Sequence, residues 1–224
     1  MKVDVLESGK DFLISYLRDL KVNYEVIYPW RGDWRFVVLH SLRVENYARR
    51  IIALDKNHLA QEEVLITRLA CILHDIGRIH QRENHALISK AIVSSWLNDN
   101  GDIKRQIPDV NYLLSLIENH SNKSANDIDY CSMVLKDADL LDEIGVMSIF
   151  MSANWLDNTN GLFFSSLNKR IINKELSFCD ETKAMLKTRT AQLIINQKKA
   201  FIEQFINQLE AELCDLEEYE RRIR

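Results

Sequence analysis

Four residues with metal-binding side chains lie on apolar helical stripes of the sequence. His40 lies on one stripe, the pair His74-Asp75 closes a second, and Asp139 lies on a third. Core packing alone would place apolar side chains there, since unpaired charges are costly in an apolar interior and a shared cation would compensate them. Two imidazoles and two carboxylates form a mixed nitrogen and oxygen shell that leaves room for water. The sequence therefore predicts one divalent cation at these four residues.

A cation held in this way would favour hydrolysis at phosphorus. It lowers the pKa of the water bound to it, so that hydroxide forms near neutral pH, and it attracts a phosphoryl oxygen as a Lewis acid. The four residues are too far apart in sequence to meet locally. They form a site only if the helices that carry them converge.

Hydrophobic periodicity predicts the three helices that carry these residues. The first covers about 36–55 and places His40 on its buried stripe. The second covers about 60–76, has His74-Asp75 in its last turn and ends at Gly77. The third lies between Asp127 and Gly145, where Asp139 shares a face with the residues Ile128, Cys131, Leu135 and Asp142.

The rest of the chain also has a helical pattern. Only 6 Gly and 2 Pro occur in 224 residues, which favours helices over many short strands. Further helices are predicted at 8–27, 84–99, 109–120 and 146–155, and one long or kinked helix at 180–224. Loops around 28–35 and 156–180 are expected to shape the pocket and thereby the choice of substrate. The sequence thus predicts an all-α protein.

Length favours one domain over residues 1–224, with a core at about 36–155 and a C-terminal helical extension at about 156–224. The C-terminal helix could also support a homodimer. Four cysteines without any C-x-x-C pair argue against a zinc knuckle and indicate buried thiols.

Charge and hydropathy limit the classes of partner. The formal net charge of -4 gives no support for binding a nucleic-acid polymer, although a local basic pocket could bind a small phosphorylated ligand. The beginning of the sequence lacks the pattern of a secretory signal, and no apolar stretch has the length of a membrane span. We therefore expect a cytoplasmic protein with no membrane partner.

The order H, HD, D resembles the HD-domain superfamily of metal-dependent phosphohydrolases. The segment 137–145 is similar to the D-A-D-x-L-D-x-x-G segment of small bacterial HD hydrolases, and the likeness covers roughly residues 36–210. The resemblance implies an HD-domain helical bundle with additional N- and C-terminal helices. It also implies that the metal ligands are His40, His74, Asp75 and Asp139, and that the ion is Mn²⁺, Mg²⁺, Fe²⁺ or a similar cation.

The resemblance also suggests catalytic residues around Asp75. Several nucleotide-cleaving members have an acidic residue three positions after the HD aspartate, whereas this chain has Arg78. Other branches place a cation there, so we assign Arg78 to the substrate phosphate. His85 and His120 resemble the H-x-x-x-G-A and I-x-x-H segments and could contact phosphate or relay protons. Alternatively, they complete a second metal site bridged by Asp75. We expect His80 in an exposed loop.

Three functions remain open at this point. The first is hydrolysis of a phosphoester or phosphoanhydride, with a nucleotide as substrate and pyrophosphate release from a nucleoside triphosphate as one specific case. The second is an oxygenase with a binuclear iron site, suggested by the extra histidines. The third is a non-catalytic nucleotide-binding regulatory module, suggested by the missing acidic residue near Arg78.

Overall fold

The computed structural model describes residues 4–20, 33–57, 59–123, 129–213 and Arg222. Within these ranges all regular secondary structure is helical, which confirms the all-α prediction. None of the helices described there is long and apolar enough to cross a bilayer. Contacts divide the chain into two compact units, Met1–Asp142 and Glu143–Arg224. A single domain over residues 1–224 stays a prediction.

The first unit is a bundle of helices around one apolar core. Its described α-helices are α1 (Val5–Asp19), α2 (Trp34–Leu54), α3 (Gln61–Leu73), α4 (His85–Asp99), α5 (Gly101–Lys104), α6 (Val110–Asn119) and α7 (Tyr130–Asp142), with a 3-10 helix at Ile76–Ile79. Helix α2 packs on α3 and α7, and α3 also contacts α1 and α6. The helices that carry the predicted ligands therefore adjoin one another.

Aspartate caps set the beginnings of several helices. The carboxylate of Asp33 accepts a hydrogen bond from the backbone of Arg35 before α2, and Asp109 accepts one from Tyr112 before α6. Helix α1 ends at Asp19, earlier than the predicted residue 27. Residues 28–32 of the predicted rim loop lie outside the described residues.

Helix α3 ends at Leu73, so the His74-Asp75 pair follows the helix instead of occupying its last turn. The cause lies at Gly77, which packs directly on the backbone of α4. A Cβ at Gly77 would lie 2.6 Å from the carbonyl oxygen of His85 and 2.6 Å from the amide nitrogen of Ser89. The amide of Gly77 donates to Ser89 Oγ at 2.9 Å. The chain turns here and places Asp75 beside α4.

The second unit is also helical where it is described. Its elements are α8 (Val146–Ala153), α9 (Phe163–Arg170), a π-helical segment (Ile171–Glu175), α10 (Leu176–Met185) and α11 (Arg189–Leu213). The predicted loop at 156–180 is thus helical from Phe163 onward. The predicted helix at 180–224 is interrupted, because Leu186 is extended and the hydroxyl of Thr188 accepts from the backbone of Ala191 before α11 continues.

Three of the four cysteines, Cys71, Cys131 and Cys179, are free and buried, as predicted. Cys214 lies outside the described residues. The absence of any disulfide among the three described cysteines agrees with the expectation of buried thiols.

Candidate metal centre

The four predicted metal ligands come together inside the first unit. His40 projects from α2, His74 and Asp75 follow α3, and Asp139 projects from α7. His40 Nε2 lies 3.6 Å from Asp75 Oδ2 and 3.2 Å from Asp139 Oδ1, and His74 Nε2 lies 3.6 Å from Asp139 Oδ1. The structure therefore brings residues from three separate helical segments to one buried point.

His85 and His120 extend this cluster on the other side of Asp75. Asp75 Oδ1 lies 3.1 Å from His85 Nε2 and 3.5 Å from His120 Nε2. The two carboxylate oxygens of Asp75 thus face different imidazoles. Three overlapping groups of possible ligands result, with the ligand atoms of each group within 4.8 Å of one another: His40, His74 and Asp75; His74, His120 and Asp139; and Asp75, His85 and His120.

All four imidazoles present the same ring nitrogen to the cluster. His40 Nδ1 lies 2.8 Å from Asp142 Oδ2, whereas the Nδ1 atoms of His74, His85 and His120 lie 2.6 to 2.8 Å from backbone carbonyl oxygens. Carboxylate and carbonyl oxygens only accept hydrogen bonds, so each Nδ1 must donate. The Nε2 atom of each neutral ring then carries a lone pair that points at the carboxylates.

Several of these donor atoms face one another or lack a hydrogen-bond partner. Two Nε2 atoms, those of His85 and His120, lie 3.1 Å apart, and two neutral rings would oppose their lone pairs. His74 Nε2 and Asp75 Oδ1 are buried and have no hydrogen bond of normal geometry. Adjacent ligands of an ion bound at about 2.1 Å are about 3 Å apart, close to the separations found here. The donor set therefore fits a divalent ion.

The ionisation states also suit metal ligands. Burial alone would raise the pKa values of Asp75 and Asp139. The imidazoles of His120 and His85, together with Arg78, hold the pKa of Asp75 well below the ordinary range, and Lys123 with the imidazoles of His40 and His74 does the same for Asp139. Burial lowers the pKa of His120 to about 4, so its ring is neutral at pH 7. Burial also opposes the charge on His40, yet contacts with Asp139 and Asp142 raise its pKa to about 10. An ion bound at His40 would displace a proton.

Comparison with known proteins agrees with this geometry. Residues 37–144 match the family model of the HD domain, a span that contains all six clustered residues. This part of the chain is an HD domain. No curated protein matches the chain by sequence.

Solved structures share the fold of this chain. A HD-superfamily hydrolase from Bacillus thuringiensis is 20% identical, with a TM-score of 0.62 over 92% of this chain and 95% of that chain. YpgQ from Bacillus subtilis, in complex with ADP, is 20% identical, with a TM-score of 0.57 over 96% and 100% of the two chains. A predicted HD superfamily hydrolase from an uncultured Thermotogales bacterium is 17% identical, with a TM-score of 0.57 over 93% of each chain.

Asp142 on α7 contacts the ring nitrogen of His40 that faces away from the cluster. Asp142 accepts from His40 Nδ1, and Arg43 donates to its two oxygens from Nε at 2.6 Å and from Nη2 at 2.9 Å. The sequence placed Asp142 on the same stripe as Asp139 but provided no role for it. A carboxylate behind a metal-binding histidine fixes the ring orientation and the tautomer.

Two cations lie next to the carboxylates of the cluster. Arg78 Nε is 3.6 Å from Asp75 Oδ2, and Lys123 Nζ forms an ion pair with Asp139 Oδ2. Arg78 was a predicted site residue, whereas sequence reasoning missed Lys123 because it lies in the loop after α6, where no periodic pattern singles it out. Only tertiary contact reveals its position.

Of the two remaining histidines, the described part of the chain includes His80, which lies apart from the cluster. His80 is exposed, as expected, and its Nε2 lies 2.8 Å from the hydroxyl of Tyr16 on α1. His58 lies outside the described residues. The described cluster therefore contains four of the six histidines.

Proposed function

We propose that this protein is a metal-dependent phosphohydrolase that cleaves a phosphoester or phosphoanhydride bond of a small substrate, with a nucleotide as the first candidate. The supporting observation is the convergence of four Nε2 atoms on the carboxylates of Asp75 and Asp139. A binding module would not require so many buried titratable groups with shifted pKa values at one point.

The residues have separate roles in this proposal. His40, His74, Asp75 and Asp139 would hold a divalent ion, which when bound acidifies water and polarises a phosphoryl oxygen. Arg78 binds the phosphate with its guanidinium group. His85 and His120 hold or accept a proton at Nε2 close to the reacting atoms.

A nucleotide substrate has support from one relative of the same fold. The structure of Bacillus subtilis YpgQ contains ADP, and that protein covers nearly the same length of chain. Release of pyrophosphate from a nucleoside triphosphate is the specific case that we would examine first.

The deciding experiment follows a mixed pool of ribo- and deoxynucleotides by phosphorus NMR in the presence of Mn²⁺. We expect orthophosphate or pyrophosphate to appear with the wild-type protein and to be at least about a thousandfold slower with Asp139→Ala, because a missing ligand removes the ion. Asp11→Ala, at an exposed position of α1, is the matched control. An unchanged spectrum with the wild type, or full activity in Asp139→Ala, would contradict the proposal.

A second candidate is an oxygenase with two iron ions. The observation in its favour is the adjoining group of Asp75, His85 and His120, which shares Asp75 with the first group. Two irons per chain by elemental analysis, together with no phosphate release, would favour this alternative.

A further inference from the structure

The loop after α6 places an ammonium group beside the candidate metal centre. Lys123 Nζ contacts Asp139 Oδ2, while Asp139 Oδ1 lies 3.2 Å from His40 Nε2 and 3.6 Å from His74 Nε2. The carboxylate therefore presents one oxygen to the imidazoles and the other to Lys123. Since Lys123 follows His120 by three residues, the end of α6 positions both groups.

Two positively charged side chains near the cluster are not balanced by its carboxylates once a divalent ion is bound. A divalent ion would compensate the carboxylates of Asp75 and Asp139, and Asp142 is already paired with Arg43. Among the described residues that contact these carboxylates, Arg78 and Lys123 then carry two positive charges in excess. This excess matches the charge of a phosphoryl dianion, and attraction of that kind is strong where water is partly excluded.

The two cations and the carboxylate of Asp139 are partly exposed, whereas the imidazoles of His40 and His74 are buried. The side chain of Lys123 is 19% exposed, that of Arg78 is 30% and that of Asp139 is 17%, whereas those of His40 and His74 are 6% and 0% exposed. A substrate that arrives from solvent can reach the two cations directly. A bound ion would also share the charge of Asp139, weaken its attraction for Lys123 and release the ammonium group for a new partner.

We propose that Lys123 is a substrate-binding residue whose ammonium group binds a phosphoryl oxygen, as a second cation in addition to Arg78. The inference rests on the proposed function, because it names the part of the substrate that this site recognises. A lysine suits the task, since its flexible stem and three donors can follow a phosphate oxygen.

The test compares Lys123→Met and Lys123→Arg with the wild type in two binding measurements. Calorimetry measures the affinity for inorganic phosphate at saturating Mn²⁺, and electron paramagnetic resonance of free Mn²⁺ measures the affinity for the ion. We expect Lys123→Met to weaken phosphate binding about tenfold or more, while Mn²⁺ binds as tightly as before or more tightly because a repelling charge is gone. Lys123→Arg should retain most of the phosphate affinity.

Lys90→Met is the matched control, since Lys90 on α4 also pairs with a carboxylate, that of Glu118, at 2.6 Å. Lys90→Met should change neither the affinity for phosphate nor the affinity for Mn²⁺. Equal phosphate affinity in the wild type and Lys123→Met would overturn the inference, and so would a wild type that binds no phosphate. A parallel loss of Mn²⁺ and phosphate affinity would show instead that Lys123 only positions Asp139.

The binding measurements need no turnover, so the two proposals can fail separately. Phosphate binding that depends on Lys123, without hydrolysis of any nucleotide, would overturn the proposed function alone. Hydrolysis together with unchanged phosphate affinity in Lys123→Met would overturn the role of Lys123 alone.

Discussion

Asp142 determines which ring nitrogen of His40 faces the candidate ion. Its Oδ2 accepts from His40 Nδ1 at 2.8 Å, which leaves Nε2 directed at Asp75 and Asp139. Burial raises the pKa of Asp142, but His40 and Arg43 outweigh burial and lower it, so the carboxylate stays ionised at pH 7. Orientation of His40 therefore depends on a residue that does not itself approach the ion.

Replacement of Asp142 with Asn should weaken metal binding and leave the helices intact. The amide is close in size but carries no charge, and it pairs less well with both His40 and Arg43. We expect the affinity for Mn²⁺ to fall about 10- to 100-fold, the range typical of such supporting residues. Titration of Mn²⁺ followed by electron paramagnetic resonance would measure it.

Asp102→Asn is a suitable comparison for this variant, because Asp102 forms an exposed ion pair with Arg105. Exposed pairs contribute little, so that change should leave Mn²⁺ affinity as it is. If Asp142→Asn bound Mn²⁺ like the wild type, orientation of His40 would not need the carboxylate.

The turn between α3 and α4 is the element that aligns Asp75 with His85. Gly77 lies flat against the first turns of α4, and its amide donates to the buried hydroxyl of Ser89. Ser89 lies at the glycine position of the H-x-x-x-G-A segment that this part of the chain resembles. The hydrogen bond and the close contact at Gly77 fix the distance between the 3-10 helix and α4.

Gly77→Ala should destabilise the protein, because the new methyl group would lie 2.6 Å from two backbone atoms of α4 that cannot easily move. We expect a loss of about 1–3 kcal/mol in the free energy of unfolding, measured by urea denaturation. Gly161→Ala is the control, since no atom lies within 4 Å of the added Cβ. Equal stability of the two variants would mean that the turn adjusts without cost.

At the scale of the whole molecule, all six clustered residues and both adjacent cations belong to the first compact unit, Met1–Asp142. A ligand that binds only the folded state stabilises it by mass action. Metal binding should therefore stabilise the folded state of this unit.

Mn²⁺ should raise the melting temperature of the metal-free protein. At a concentration of about 100 times the dissociation constant the gain is about 2.7 kcal/mol, which corresponds to about 5 °C or more for a chain of this size. Calorimetry with and without Mn²⁺ would measure the shift, and a chelator should reverse it. The shift should be absent in Asp139→Ala. A shift of the same size in that variant would place the responsible ion elsewhere.

The local pattern of the sequence predicted much of the fold. Helix α2 covers Trp34–Leu54 against a predicted 36–55, and α4 covers His85–Asp99 against 84–99. Periodic burial and capping residues act within a few turns, so they can be recognised without knowledge of the neighbours. The helices within 156–180 were missed because α9 has only 8 residues and a π-helical segment interrupts the regular helical period before α10.

The sequence by itself also determined which metal-binding groups are available. Polar residues on apolar stripes are unusual enough to predict a metal site, and these residues are His40, His74, Asp75 and Asp139. Only the tertiary structure decided how the parts meet. It shows that Asp75 faces imidazoles on both sides, that Asp142 orients His40, and that Lys123 contacts Asp139. These relations join residues from different helices, and their distances depend on how the helices pack, which no local pattern records.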